Sequence, residues 1–347
     1  MRKNMWFSNI QRFRYLLGSL KYLSCRRLLN GILLLFSFFY SRLTKKLRIM
    51  GSPWAMSVEP SGQCNLQCPE CPVGAGVLTR KAGMLTLPLF EKMLDDAGPQ
   101  LLALNLYFQG EPMLNRGIGD IIALAQQRKI YTSMSTNGHY LSPENCALLI
   151  KGGLSKLIVS VDGISRRSYS RYRKGGDLNK VKEGISNFLE QRRALGRHSP
   201  IISIQFLVFE HNEHEIEELT QWCRNMGVDL LELKSAQFYD FGNNEVSPPT
   251  IARYSRYTKE DGQWVMKGKS YNHCFKQWGS AVMSWDGRIA PCCYDKDLDF
   301  SPGSIRVSPL KEIWKNQSLM QFRRQVLKDK AAIAMCRNCP EGRKLII

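Results

Sequence analysis

Cys64-Asn65-Leu66-Gln67-Cys68-Pro69-Glu70-Cys71 sets three thiols within eight residues, and the reading of this stretch decides the rest of the chain. Three thiolates converging from one short loop hold three corners of a cubane iron-sulfur cluster and leave the fourth iron without a protein ligand. An iron with an open position is a place for chemistry. The alternative is a structural zinc, which takes four protein ligands in a tetrahedron and whose cysteines usually come as two CxxC pairs. The spacing puts the cluster ahead of zinc.

Outward from this loop the pattern is strand then helix, repeated. Strands are expected at Trp54–Val58, Leu102–Tyr107, Ile130–Ser135, Lys156–Val161, Ile201–Phe209 and Asp229–Lys234, with amphipathic stretches between them. Six such repeats argue for parallel strands joined by right-handed crossovers, a partial (β/α)6 TIM-like barrel in the α/β class. Thr86 is placed to cap a helix running through Met93, Ser142-Pro143 starts another, and Asn212 with Glu215 makes a capping-box pair. The polar stretch Phe241–Gly268 reads as a linker. Beyond it, Ser284-Trp285-Asp286-Gly287 marks a hairpin turn, and Leu310–Leu327 reads as one helix. The expected organisation is an N-terminal extension over 1–50, a barrel over 51–240, a linker over 241–272 and a small α+β domain over 273–347.

The CxxxCxxC loop, its place after the first strand and the segments that follow resemble the radical S-adenosylmethionine (SAM) superfamily, over about Trp54 to Lys234 for the core and His273 to Cys339 for a second motif. The resemblance implies that the open iron chelates the amino and carboxylate groups of SAM. One electron then cleaves the sulfonium to a 5'-deoxyadenosyl radical that abstracts hydrogen from substrate. It also implies an electron donor such as flavodoxin or ferredoxin. The residue before the third cysteine is commonly aromatic in the family, and here it is Glu70, which removes a stacking surface and leaves the backbone contact to adenine.

In barrels the active site lies at the C-terminal ends of the strands. After the second strand, Gln109-Gly110-Glu111-Pro112 resembles the family's glycine-glutamate-proline motif; Gly110 permits close backbone approach and Glu111 accepts from an ammonium. Ser135-Thr136-Asn137-Gly138 and Ser160-Val161-Asp162-Gly163 resemble segments that contact ribose and methionine, which makes Asn137, Ser160 and Asp162 cofactor-binding candidates. Arg173 aligns with an arginine that pairs with the cofactor carboxylate, a task suited to a bidentate guanidinium, with Arg171 two residues away as the alternative. Gln109, Ser135, Gln205 and Lys234 are expected to face substrate, Lys234 either as a desolvated base or as the partner of Asp162 or Glu232.

A second constellation comprises Cys274, Cys292, Cys293, Cys336 and Cys339. With Asp286-Gly287 in the hairpin and Ile313-Trp314 in the following helix, it resembles the twitch form of the SPASM extension, which carries one auxiliary [4Fe-4S] cluster saturated by four cysteines. Neighbouring side chains on an extended strand point oppositely, so one of Cys292 and Cys293 faces the metal; we take Cys292. A zinc ribbon from the same ligands is the alternative here, since spacing alone does not separate the two metals. Cys25, Cys146 and Cys223 are expected to be buried apolar residues.

The 347 residues are 44% apolar and 23% charged, an ordinary globular composition with room for one large domain and a small one. An odd count of eleven cysteines and no cleavable secretory signal disfavour a disulfide framework, so reduced thiols and the cytoplasm are expected. The net charge of +19 is uneven: residues 1–58 hold eleven Lys or Arg and no Asp or Glu, which leaves 38 basic against 30 acidic residues elsewhere. The apolar run Leu28–Tyr40, flanked by Arg26, Arg27, Arg42 and Lys45, reaches roughly 20 Å as a helix against a hydrocarbon core of roughly 30 Å, so it is not expected to span. An interfacial helix over residues 1–48 in peripheral contact with the inner face of the membrane is the favoured reading, a helical hairpin packed on the barrel the next, and a nucleic-acid-binding arm the least favoured. The expected function is hydrogen abstraction from an unidentified substrate, a two-electron oxidation assisted by the auxiliary cluster. The alternatives are a peptide-modifying SPASM maturase and a non-catalytic metal-binding module.

Overall fold

The structure, a computed structural model, describes residues 3–239, 241 and 245–344. Gly242, Asn243 and Asn244 of the expected linker, and the ends of the first and last expected domains, lie outside the described residues. The chain opens with a strand, β1 (Lys3–Trp6), and two helices, α1 (Asn9–Leu20) and α2 (Cys25–Thr44). Strand and helix then alternate through β2 (Ala55–Val58), α3 (Leu87–Ala97), β3 (Ala103–Asn105), α4 (Ile118–Gln127), β4 (Tyr131–Thr136), α5 (Pro143–Lys151) and β5 (Lys156–Ser160). They continue through α6 (Arg166–Tyr172), α7 (Leu178–Ala194), β6 (Ile201–Val208), α8 (Ile216–Met226) and β7 (Leu230–Ser235).

From β2 to β7 each strand pairs in parallel with the next, as βαβ crossovers require. Both faces of these strands are covered. Ile202, Ile204, Phe206 and Val208 alternate with Ile201 and Ser203, and all six are buried. The partial barrel's two open edges are closed by segments from outside it. At one edge β1 lies antiparallel on β7, Lys3 opposite Leu233 and Trp6 opposite Leu230. At the other the C-terminal domain contributes β11, parallel to β2, so that ten strands form one sheet.

The stretch expected to be an irregular linker carries an antiparallel hairpin, β8 (Tyr257–Glu260) and β9 (Gln263–Met266), with Asp261-Gly262 at the turn. Both turn residues have positive φ, at 47° and 80°, as an Asp-Gly hairpin demands. A short β10 (Lys269–Ser270) and α9 (Lys276–Gly279) lead to β11 (Ser280–Met283), which turns at Ser284–Gly287 into β12 (Arg288–Ala290), as the Asp-Gly step indicated. After β13 (Gly303–Ser304) the expected single helix is two: α10 (Leu310–Ile313) and α11 (Gln317–Asp329). Asn316 breaks it by capping α11, its side chain accepting from Leu319 N at 2.9 Å, with Trp314 buried at the corner. The chain ends with α12 (Ala334–Arg337) and β14 (Arg343–Lys344).

Two expected caps also differ. Thr86 is the N-cap of α3 but makes no side-chain bond there. Asn212 and Glu215 form no capping box: Asn212 donates to Asp162 O and Leu207 O, and Glu215 accepts from Ile164 N, Ser165 Oγ and Ser168 Oγ. A buried carboxylate and amide found better partners across space than along the helix. Cys146 and Cys223 are buried as expected, while Cys25, on the first turn of α2, is exposed.

The helices α1 and α2 sit under the barrel, on the loops that enter its strands. Arg27 donates to the carbonyls of Arg128 and Lys129 ahead of β4, and Tyr22 Oη meets Ser155 Oγ ahead of β5 at 2.7 Å. Asn30 accepts from and donates to Ser52 ahead of β2. Phe38 packs edge-on against Trp278 and Phe275 of the C-terminal domain. The extension is therefore a floor shared by both domains.

Candidate active site

The cysteine loop follows β2 and is held at both flanks by backbone bonds: Glu111 N donates to Gln63 O at 2.7 Å, and Gln67 N to Lys174 O at 2.9 Å. Cys68 is buried and Cys64 and Cys71 are half-buried. Leu66 N donates to Cys64 Sγ at 3.4 Å, and Asn137 Nδ2 lies 3.9 Å from the same sulfur. Arg173 Nη1 lies 3.8 Å from Cys68 Sγ. Burial pushes the Cys68 thiol up to about 12, with Arg173 opposing, so iron binding must displace a proton and the guanidinium then faces a thiolate.

Gly110 has φ of 69°, and a Cβ there would sit 2.3 Å from Ser61 O, so only glycine brings this backbone against the loop. Pro112 and Glu111 are buried beside it. Glu111, expected to receive an ammonium, is occupied instead. Its carboxylate accepts from Met113 N at 3.0 Å, Thr136 Oγ1 at 2.7 Å and Asn137 N at 2.8 Å. It ties the loop after β3 to the end of β4, and burial pushes its carboxyl up against the pull of those donors. Replacing it by Gln turns an amide N–H₂ toward backbone donors that have no acceptor role to offer. Glu111→Gln should lose about 1–3 kcal/mol of stability in chemical unfolding, because a buried donor is left unpaired.

Asn137 is oriented by its neighbours. Asp177 N donates to His139 Nε2, so the ring proton is on Nδ1 and points to Asn137 Oδ1 at 3.0 Å. The Asn137 amide nitrogen is thereby turned to Asn65 Oδ1 and Cys64. Ser160 is buried at the end of β5. Asp162, fully buried, is bound by Arg173 through Nε at 2.6 Å and Nη2 at 2.5 Å, and accepts from Leu207 N. Arg173 thus spans a buried carboxylate and the Cys68 sulfur, rather than offering its whole fork to a ligand carboxylate, while Arg171 is exposed on α6.

The second set of thiols gathers where α9, the segment after β12 and α12 meet. Cys274, Cys336 and Cys339 are buried, and Cys292 and Cys293 half-buried. Tyr294 N donates to Cys292 Sγ at 3.4 Å, the same two-residue amide-to-sulfur bond that Leu66 makes to Cys64. Burial pushes the Cys292 thiol up, and the neighbouring thiols of Cys293, Cys274 and Cys336 push it the same way. Cys293 instead has Lys276 Nζ 3.9 Å from its sulfur, and Lys276 pairs with Glu341 at 3.0 Å. Among the described residues no three Cys, His, Asp or Glu side chains converge on a point where one ion could sit.

Between the barrel mouth and the C-terminal domain lies a cavity of about 590 Å³. Cys71 and Gly110 line one end, and Cys293, Tyr294 and Glu341 the other. Gln109, Gln205 and Lys234 line its barrel wall as expected; Ser135 is not part of its lining. Lys234 is bonded to Gln205 and stands 3.6 Å from Glu232. Burial would raise the Glu232 carboxyl, but Lys234 and Lys156 hold it down at about 2, so Lys234 sits in a charge pair, the second of its expected roles. Glu70 also lines the cavity and accepts from Tyr239 N at 2.8 Å. It exchanges the family's aromatic surface for a tie to the segment after β7.

Sequence reasoning missed a buried ion pair behind this cavity. Glu59, fully buried after β2, receives Arg80 at 2.5 and 2.8 Å, together with Ser284 Oγ of the C-terminal hairpin. Arg80 Nε donates to Lys296 O. The pair bolts the barrel to the second domain; its only sequence signal was an acidic residue directly after an apolar strand.

The family model for the radical SAM superfamily matches residues 58–223, and that for an iron-sulfur cluster-binding domain, SPASM, matches 274–340. The chain belongs to the radical SAM superfamily. The radical SAM chain carries a C-terminal SPASM domain, and the latter model decides for iron-sulfur at Cys274 to Cys339. It is 26% identical over 296 residues, 77% of this chain and 82% of the relative, to the tungsten-containing aldehyde ferredoxin oxidoreductase cofactor-modifying protein of Pyrococcus furiosus. Among solved structures it is similar in fold to Streptococcus suis SuiB bound to S-adenosylmethionine, with TM-score 0.60 and 14% identity, over 86% of this chain and 74% of that one. The complex of SuiB with its precursor peptide SuiA gives TM-score 0.60 and 15% identity, over 80% and 67%. The radical SAM and SPASM domains imply a [4Fe-4S] cluster with SAM and further iron-sulfur. The donor chemistry fits: three thiols, those of Cys64 and Cys68 with polar partners at sulfur, and a facing guanidinium at one end of the cavity, and a larger thiol set at the other.

Proposed function

We propose that this radical SAM enzyme performs a two-electron oxidation of a substrate held in the cavity between its two cysteine sets. The observation that carries the reading is that one continuous space touches both Cys71 and Cys293. Cys64, Cys68 and Cys71 would hold the SAM-binding cluster, and Cys274, Cys292, Cys336 and Cys339 the auxiliary one. When bound, the first supplies one electron to SAM, which yields methionine and a 5'-deoxyadenosyl radical able to take a hydrogen atom from substrate. The second supplies an acceptor for the electron that the substrate must then lose.

The chain's own residues position and balance. The backbone at Gly110 and the segment at Asn137 would meet the cofactor's amino acid portion, with Glu111 and Pro112 fixing that backbone. Ser160 would close the ribose side, with Asp162 acting through Arg173, which it holds and which offsets charge at Cys68. Lys234, Arg256, Lys276 and Lys296 line the cavity against two carboxylates, Glu70 and Glu341, which favours a substrate bearing a negative group. A flavodoxin or ferredoxin is the electron donor we propose, in a reducing cytoplasm.

The test is anaerobic turnover with SAM and a reductant. Cys274→Ala or Cys336→Ala should keep 5'-deoxyadenosine formation within about threefold of wild type, as a remote site predicts, while oxidised product falls at least a hundredfold, about 2.7 kcal/mol on the barrier. Undiminished product in these variants contradicts the oxidation. Peptide modification is the second reading, favoured by the likeness to SuiB, whose solved complex holds a precursor peptide. Peptide crosslinking in place of small-molecule oxidation in the same assay would select it.

A further inference from the structure

The face that α2 turns to solvent is more apolar than the face it buries. Buried against the barrel are Arg27, Asn30, Ser37 and Ser41, with Leu34 and Phe38 between them. Leu29, Ile32, Phe36, Phe39 and Leu43, at intervals of three and four, form a stripe on the opposite side of the helix, and Leu43 is 80% exposed. The helix α1 adds exposed Phe13, Leu16 and Leu17. An ordinary surface helix shows the reverse pattern, and an exposed apolar surface of this extent needs an occupant.

We propose that α1 and α2 form a docking plate for an anionic lipid surface. Charge selects this occupant. Arg12, Lys21, Arg26, Arg42, Lys46 and Arg48 are exposed around the apolar stripe, and no acidic residue occurs before Glu59. Basic residues flanking a shallow apolar face match anionic head groups above an acyl boundary. A second copy of the chain would bring two equally basic faces together, which opposes a two-fold contact. Among the described residues no single helix is long and apolar enough to cross a membrane, and α1 and α2 meet at 98°. With one face of α2 seated on the barrel, the plate lies on the surface and does not insert.

The plate also fixes an orientation. It contacts the loops that enter the strands, at Ser52, Lys129 and Ser155, whereas the cysteine loop and Gly110 follow the strands at the other end. Docking therefore points the active-site mouth away from the lipid. Substrate arrives from the aqueous side.

The full, cluster-loaded chain is tested by co-sedimentation with phosphatidylcholine vesicles, with and without phosphatidylglycerol. The expected result is partitioning to the phosphatidylglycerol vesicles that falls with salt. The triple variant Arg26→Glu/Arg42→Glu/Lys46→Glu should bind them about a hundredfold more weakly, from three lost head-group attractions. Ile32→Ser/Phe36→Ser/Phe39→Ser should also lose binding, and because these side chains are exposed it should fold and cleave SAM as wild type does. Vesicle-bound wild type should cleave SAM at its free rate. Equal, salt-independent binding to both vesicles, or none to either, overturns the proposal. So does a dimer in solution that the serine variant abolishes, which would make the stripe a seat for a second copy.

Discussion

Replacing any one of Cys64, Cys68 and Cys71 by Ala abolishes release of 5'-deoxyadenosine and leaves iron at the second site. Three thiolates are the minimum that grips a cubane with one iron free, and the carboxylates nearest the loop, Glu70, Glu111 and Asp162, are already engaged with Tyr239 N, Asn137 N and Arg173. The Cys64 and Cys68 thiols start from a raised pKa, so they are bound only by displacing protons, and a missing partner removes the gain that offsets this. Iron counting together with 5'-deoxyadenosine chromatography checks the result. Equal loss of iron from both sites contradicts the division into two independent centres.

The second large effect is at Arg173. Its removal leaves Asp162 fully buried without a counter-charge and should cost about 3–5 kcal/mol, the usual result of breaking one side of a buried pair. Burial already raises the Asp162 carboxyl, with Arg173 the main opposing influence. Without the arginine it rises further. A carboxyl raised in the folded state stabilises below its ordinary range and loses that contribution as pH climbs, so the Arg173→Ala deficit should widen from acid to neutral pH. Arg173→Ala with Asp162→Asn should recover most of the loss, because the amide oxygen still accepts from Leu207 N. Chemical unfolding of the four proteins across that pH range measures the coupling; additive losses contradict the pairing.

The sequence made the barrel strands legible because each is a short apolar run ending in turn residues, and every one lies within two residues of its expected position. The floor was not legible in the same way. Trp6 pairs with Leu230 across more than two hundred residues, and nothing local announces that contact. The same holds for β11 on β2 and for the bonds that tie the Glu59–Arg80 pair to Ser284 and Lys296, which join segments far apart in the chain. The capping pair at Asn212 failed because buried polar groups choose their partners in space. In the site, cysteine spacing carried most of the reading, since Cys64, Cys68 and Cys71 all fall in one short loop. The roles of Glu111 and Arg173 were harder: both lie where expected, but each is engaged with its own chain, Glu111 with Thr136 and Asn137, Arg173 with Asp162.

The most direct test of the central claim is electron paramagnetic resonance on oxygen-protected, reduced protein before and after SAM is added. Two four-iron clusters, about eight irons per chain, should be present, and SAM should change the signal of the one at Cys64, Cys68 and Cys71 while leaving the other unchanged. Two signals indifferent to SAM, or a protein that holds only zinc, would contradict it.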